Sequence, residues 1–358
     1  MPELQGRHLI TNSRSQCFKA CPRKHFFKYV LGIRKEPSEA LRMGSAVHEA
    51  LDVYKTTGDE QAAVDAIFDN YQKLLERVTS DEYIDALMLE RTKCAELTKG
   101  WIWRWGNDPA IEIIASEIPF DLPIVNPRTG YPNRNHRNAG KIDGICNVDG
   151  RLLLIEHKTC SESIEQGADY WDRLKLDEQI TRYMLAARSM DYNVSGVFYD
   201  VIRKPSISLL STIPLRDGDG LKIVLDGNGE RALKKNGDPI QSANKEKGYV
   251  VQTRPETVLE YGDRLANDIR ERPEFYFARV EIPRLEHELA EMRNEIWQVA
   301  QQIRDAEKHG YHFRNSSSCK APYKCEFLEV CTSGTDLTEG SLPEGFERIE
   351  NVNPELME

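Results

Sequence analysis

The spacing of apolar residues along the chain changes character several times. Residues 12–35 begin as a helix entry and run into a basic-aromatic stretch, Cys21-Pro22-Arg23-Lys24-His25-Phe26-Phe27-Lys28-Tyr29. After Gly44, the residues Ala46, Val47, Ala50, Leu51 and Tyr54 keep helical spacing, and residues 60–105 extend it to Trp101, Trp103 and Trp105. Asn107-Asp108-Pro109 breaks that run. Period-two alternation then predicts strands over 111–122, 140–148 and 151–158, the last two joined by a tight Asp149-Gly150 turn. A helix is expected over about 171–189 and a strand over 194–202. Helix, three strands, helix, strand is the order of an α/β core with a mixed sheet.

Beyond that core, Asp226-Gly227-Asn228-Gly229 and Asn236-Gly237-Asp238-Pro239 lie among Arg231, Lys234, Lys235, Lys245 and Lys247, the pattern of an exposed basic hairpin or flap. From Pro255 the chain is expected to be helical again. Leu285, Leu289, Met292, Ile296, Val299 and Ile303 alternate at spacings of four and three, giving a helix with one apolar seam that packs on the chain's own core. The expected organisation is an N-terminal segment (1–43), a helical region (44–110), a sheet-and-helix core (111–214), the basic flap (215–254), C-terminal helices (255–331) and an acidic tail (332–358). The tail's composition predicts poor order.

Composition adds limits. An apolar fraction of 40% suffices for a sizeable core and argues against global disorder. No apolar run of about 18 residues predicts a membrane span. Residues 1–10 have no signal-peptide h-region, so a cytoplasmic location is the expectation. A net charge of −10 disfavours a protein that coats nucleic acid non-specifically. Part of that charge is local to the tail: without the residues after Cys331 the remainder carries about −4, and distribution matters more than the sum.

The chemistry concentrates around the predicted hairpin. In Leu154-Ile155-Glu156-His157-Lys158-Thr159, Glu156 and Lys158 lie two apart on a strand and project to one face. Asp143, in Gly140-Lys141-Ile142-Asp143-Gly144, lies at nearly the same distance from the turn as Glu156, so the two can face each other across the pair. Two such carboxylates suit a hard divalent cation, Mg²⁺ or Mn²⁺. A surface ion pair between Glu156 and Lys158 would explain the charges but not their place at the end of an apolar strand. His48 opens a helix four residues after Gly44 and is a candidate further ligand. Gln179 and Tyr183 share a helix face, and Arg203-Lys204 follow the last core strand.

Taken in order, Gly44…His48, Gly140-Lys141-Ile142-Asp143, Ile155-Glu156-His157-Lys158 and Gln179-x-x-x-Tyr183 resemble the RecB-like branch of the PD-(D/E)XK nucleases. The resemblance covers roughly residues 12–205 and implies a restriction-endonuclease-like core: a mixed central sheet flanked by helices, with a helical insertion. It further implies that His48, Asp143, Glu156 and the main-chain carbonyl of His157 bind the metal. Lys158 would take part in catalysis, with Gln179 and Tyr183 in the same site. Ile142 stands where the superfamily's eponymous proline would be, a departure common among RecB-like members. The activity implied is a metal-dependent deoxyribonuclease, an exonuclease on single-stranded or end-containing DNA in processing, recombination or repair. Alternatives are end processing of the CRISPR-adaptation type, an endonuclease, or a DNA-end-binding scaffold with an inactive site. A helicase or recombinase partner is compatible with each, and oligomeric state is left open. Arg23, Lys24, Arg203 and Lys204 are the candidate phosphate contacts, with Phe26, Phe27 and Tyr29 as possible stacking rings.

Eight cysteines in a chain expected to be cytoplasmic point to metal or cluster chemistry rather than disulfides. Cys319, Cys325 and Cys331 crowd one segment without the Cys-x₂₋₄-Cys knuckle usual for zinc, whereas iron–sulfur clusters tolerate varied spacings. The AddB subunit of bacterial recombination nucleases and CRISPR-associated RecB-like exonucleases have one cysteine before the core and three after it, holding a [4Fe–4S] cluster. By that resemblance Cys21, Cys319, Cys325 and Cys331 would form an iron–sulfur staple, although the first C-terminal gap is five residues rather than two. Cys17 is a possible substitute ligand, and Cys94, Cys146 and Cys160 read as ordinary buried thiols.

Overall fold

The computed structural model describes residues 5–321, 323–335, 337, 342–353 and 356. It divides into two compact units of discontinuous sequence, one built from 1–48, 105–202 and 277–358, the other from 49–104 and 203–276.

The first unit is organised by a six-stranded sheet. Alternation from Ile111 becomes two long antiparallel strands, β3 (Ile111–Val125) and β4 (Pro132–Val148). Asp149 and Gly150 both take positive φ, 51° and 78°, and turn β4 into β5 (Arg151–Cys160), with Val148 opposite Arg151. That is the backbone a two-residue hairpin requires. β4 also receives β1 (Leu9–Ile10), parallel, at Arg137 and Asn138, on the edge opposite β3. β6 (Gly196–Arg203) follows β5 in the sheet. The edge strand after it, β11 (Phe277–Pro283), runs antiparallel to β6 over seven rungs. It falls where helix was expected. Its Arg279 and Glu281 alternate with Ala278, Val280 and Ile282, so the period is two, but over only seven residues.

Helices cover the sheet. The expected helix over 171–189 is two: α6 (Asp169–Lys175) and α7 (Glu178–Ser189), separated because Asp177 accepts a hydrogen bond from Gln179 N–H and caps α7. α7 is tied to β4 by the buried Arg182, whose Nη1 donates to Asn138 Oδ1 at 2.7 Å. α10 (Glu286–His309) carries the predicted seam: Leu289, Met292, Ile296, Val299 and Ile303 are buried in the main core with Ile142, Leu154, Met184 and Tyr199. Leu285 is the exception, exposed as the N-cap residue. Near the N-terminus α1 (Asn12–Ala20) and α2 (Pro22–His25) lead into a wide turn at Phe26–Val30. Arg14 of α1 is wholly buried and donates to Glu307 of α10 at 3.0 Å. α11 (Leu328–Ser333) follows the cysteine segment.

The acidic tail differs from expectation over 342–353. There β12 (Phe346–Arg348) pairs antiparallel with β2 (Ile33–Lys35), and Gln5 bridges to Asn351. Phe346 packs on Phe327 at 5.4 Å and Val352 is buried, so a few apolar anchors override an acidic composition. Asp336, Glu339, Glu355 and Glu358 lie outside the described residues.

Helix α3 (Glu39–Thr57) begins in the first unit and ends in the second. The second unit contains α4 (Glu60–Leu75) and α5 (Asp81–Trp105), so the expected continuous helix over 60–105 breaks at 76–80. It also contains four two-residue strands, β7 (Ile213–Pro214), β8 (Val224–Leu225), β9 (Val250–Val251) and β10 (Thr253–Arg254), the small ribbons of the expected flap. α8 (Val258–Glu271) and α9 (Pro273–Tyr276) complete it. Among the described residues no helix is long and apolar enough to cross a membrane.

Candidate active site and its surroundings

The β4–β5 ladder pairs Gly144 with Ile155 as its last rung away from the turn. Asp143 and Glu156 are the next residues along, and the chain there is held by the Asp143 carboxylate itself, whose Oδ2 accepts the His157 backbone N–H at 3.0 Å. His48, from α3, brings Nδ1 to 3.8 Å from the same oxygen. Two glycines permit the approach of these elements. A Cβ on Gly44 would stand 3.2 Å from Thr159 Oγ1. One on Gly144 would stand 2.8 Å from Ile155 Cγ2, closer than carbon atoms tolerate.

Glu156 is 2% exposed. Burial, and then the neighbouring Asp143 carboxylate, push its pKa up to about 8 against the pull of Lys158. Two neighbouring carboxyls, one of them buried, resist both carrying negative charge, and a cation between them removes the conflict. Lys158 Nζ supplies one positive charge, 2.7 Å from Glu156 Oε1. It also donates to Gln179 Oε1 at 2.8 Å and stands 3.6 Å from Asp177 Oδ2. Burial opposes the ammonium, but Glu156 and Asp177 outweigh it and raise its pKa. Tyr183, one turn along α7, faces the same site, and burial followed by the Glu156 charge raises the pKa of its hydroxyl. Its ring meets Phe120 edge-on at 5.7 Å over Gly140, where a Cβ would collide with Phe120 at 2.7 Å. Asp143, Glu156, Lys158, Gln179, Tyr183, His48 and the His157 backbone are thus brought together.

Three charged participants, Asp177, Asp200 and Arg279, were not read from the sequence. Asp177 both caps α7 and faces Lys158. On the other side of β5, the buried His157 ring lies 3.7 Å from Asp200 Oδ2 and edge-on to His48, ring centres 6.1 Å apart. Asp200 is 0% exposed and accepts from Arg279 Nε and Nη2 at 3.1 and 2.9 Å across the β6–β11 rung. Arg279 also donates to Asp108 at 2.8 Å and stacks on Trp105. A charge inside Val197-Phe198-Tyr199-Asp200-Val201-Ile202 was the available signal, since an isolated buried carboxylate is costly and calls for a partner.

The candidate phosphate contacts are placed differently. Arg23 Nε donates to His312 O at 2.8 Å and Lys24 Nζ lies 3.1 Å from Glu326, so both are engaged within the fold. Phe27 and Tyr29 are buried and cannot stack on bases, while Phe26 stacks on His312 at 4.6 Å. Arg203 lies over Phe275 at 4.0 Å, and it and Lys204 belong to the second unit.

The four candidate cluster cysteines are free thiols, all partly accessible. Cys21 Sγ accepts from Asn315 N–H at 3.4 Å, Cys319 Sγ donates to Asn315 O at 3.8 Å, and Cys325 N–H donates to Cys319 O at 2.9 Å. Cys325 and Cys331 pack against the Phe27–Phe327 cluster. The donor chemistry suits a soft metal or an iron–sulfur group. Among the described residues, however, no three or more His, Cys, Asp or Glu side chains converge as a metal cage, here or at the carboxylates. Cys17 lies close to Lys28 and Lys24, and burial, the largest influence, pushes its thiol up to about 11. Cys94 and Cys146 are buried as expected, whereas Cys160 is only partly so.

Comparison with known proteins gives the family. The family model of the PD-(D/E)XK nuclease superfamily matches residues 10–332. No curated protein matches the chain. Among solved structures, a candidate exonuclease from Eubacterium rectale is similar at 11% identity, covering 94% of this chain and 91% of its own, with a TM-score of 0.46. SSO0001 is similar at 13% identity over 56% of this chain and 65% of its own, with a TM-score of 0.23. Neither likeness adds to the sequence match, which spans most of the chain. The chain belongs to the PD-(D/E)XK nuclease superfamily.

Proposed function

We propose that this chain is a divalent-metal-dependent deoxyribonuclease of RecB-like type that hydrolyses phosphodiester bonds in single-stranded or end-containing DNA, working as an exonuclease. The observation that carries the reading is the pair Asp143 and Glu156 on adjoining strands, with Lys158 bonded to Glu156 at 2.7 Å and to Gln179 at 2.8 Å. His48, Asp143, Glu156 and the His157 carbonyl would hold Mg²⁺ or Mn²⁺. Such a cation neutralises charge on the attacked phosphate and lowers the pKa of water. Lys158 is positioned to donate a hydrogen bond to a water or a phosphate oxygen, and Gln179 fixes its direction. Tyr183, braced by Phe120, offers a hydroxyl beside them. Arg23, Lys24, Arg203 and Lys204 remain candidate backbone contacts only where DNA displaces their internal partners.

The cysteine set is assigned to a [4Fe–4S] cluster on Cys21, Cys319, Cys325 and Cys331, supported by four free thiols on two segments that meet at Asn315. Its role would be structural. A recombination or repair setting, with a helicase or recombinase partner, follows from the RecB-like reading. Anaerobically purified protein is incubated with end-labelled single- and double-stranded DNA in Mn²⁺, Mg²⁺ or EDTA, beside Glu156→Ala. Metal-dependent cleavage lost in the variant is the expected result, with a product ladder that starts from an end. A product pattern of internal cuts would move the reading to an endonuclease. Binding without cleavage from brown, iron-loaded protein would replace the nuclease with a DNA-end scaffold.

A further inference from the structure

Between Lys308 and Cys325 the sequence holds Lys308, Arg314, Lys320 and Lys324 and no acidic residue, within a chain of net charge −10. The same stretch exposes three large rings: Tyr311 at 68%, Phe313 at 55% and Tyr323 at 82%. Single exposed apolar side chains are ordinary. Three aromatic rings on one wholly basic stretch are a pattern, and the backbone around Tyr311 and Phe313 is pinned. His312 is buried and its carbonyl accepts from Arg23, while Arg23 N–H donates to Phe313 O at 3.0 Å. Asn315 Nδ2 and Ser318 Oγ both donate to Ala20 O, at 2.9 and 2.8 Å. With His312 turned inward, Tyr311 and Phe313 flank it in solvent. Of the four cations only Lys324 pairs with a carboxylate among the described residues, Glu329 at 2.7 Å.

The partner must supply negative charge and flat faces together. An acidic peptide supplies the charge without the faces. An anionic membrane would call for a continuous apolar face, and beyond the end of α10 at His309 the described residues of this stretch are irregular apart from the turn Ser316–Ser318. Duplex DNA keeps its base faces stacked inside. A single strand offers phosphates and unstacked bases at once. We propose that Lys308–Cys325 is a binding surface for single-stranded nucleic acid, with Tyr311, Phe313 and Tyr323 as stacking platforms and Lys308, Arg314 and Lys320 as phosphate contacts. The proposal deepens the nuclease reading and rests on it for the kind of strand delivered to the carboxylates.

Fluorescence anisotropy on the full chain in EDTA, with labelled oligo(dT) of about 15 nucleotides, a length within the range one binding platform covers, tests this. Tyr311→Ala, Phe313→Ala and Tyr323→Ala are each expected to weaken binding by about 5- to 100-fold at unchanged melting temperature. Lys320→Ala should lower the salt slope of binding by about one. In cleavage assays the ring variants should raise KM and leave kcat. Unchanged oligo(dT) binding in the triple ring variant, with cleavage intact, would overturn the surface and leave the nuclease standing. Ring-dependent binding by a chain that cleaves nothing would support the surface and sink the nuclease. Competition by polyglutamate or phosphatidylserine vesicles as strong as by unlabelled oligo(dT) would overturn the single-strand assignment.

Discussion

The carboxylate–lysine centre and the cysteine segment are both candidate ligand sets, yet the fold prepares them differently. At the first, His48, Asp143, Glu156, Lys158, Gln179 and Tyr183 all spring from strands or helices, and the charges are balanced internally: Lys158 answers Glu156 and Asp177, and Arg279 answers Asp200 and Asp108. At the second, the thiols sit on turns and short helices, tied down by backbone hydrogen bonds through Asn315. Sites on regular elements hold their geometry without a ligand, whereas sites on loops lean on the ligand for it. The first region should therefore survive metal removal with its shape intact, and the second should loosen.

Four experiments press on that contrast. The largest effect belongs to Glu156→Ala, expected to cut DNA cleavage by roughly 10³-fold or more, because several kcal/mol of charge stabilisation goes with the cation. Its circular dichroism and melting temperature should stay near the parent's. A collapse of the fold instead would show that the carboxylate is structural. Next comes Asp200→Asn, which removes the charge beside His157. Mn²⁺ affinity measured by calorimetry should fall about 10- to 100-fold, as losses behind a ligand shell typically do. Unaltered affinity would confine the Asp200–Arg279 rung to stability.

Cys325→Ser should lose most of the bound iron and lower the melting temperature, while turnover per folded molecule stays within about tenfold of the parent, as expected of a staple that clamps the ends. An iron-free parent with the same melting temperature would remove the staple altogether. Gly140→Ala is a finer probe, since its methyl would press on Phe120 and Tyr183. Overpacking of this kind costs about 1–3 kcal/mol, readable in urea unfolding.

The unequal preparation also explains what the sequence could tell. The β4–β5 hairpin was legible because Asp149-Gly150 fixes a turn and period-two alternation fixes faces, so Asp143 beside Glu156 followed from counting. His48, Gln179 and Tyr183 were legible only through their joint resemblance to a family, since each comes from a distant element. β11 was hidden because its period-two alternation lasts only seven residues between two helical stretches, and its rung with Asp200 is set by a pairing 79 residues apart. The tail was misjudged from its acids, although Phe346 and Val352 were in view as anchors. Spacing gave the cysteines as donors but could not say whether they converge, because turns carry no period from which to measure direction.

The pairing of β2 with β12 has a further consequence, for the order in which the molecule can be made. Arg34 donates to Val352 O across 318 residues, and Arg14 reaches Glu307 across 293. A chain emerging from the ribosome meets its N-terminal strands long before it meets what closes them. The first unit must therefore wait, open at β2 and at α1, while the inserted segments of the second unit are synthesised. Contacts of such separation slow folding and leave unpaired edges exposed in the meantime. Truncation after Cys331 should be felt first as aggregation during synthesis, before any loss at the carboxylates themselves.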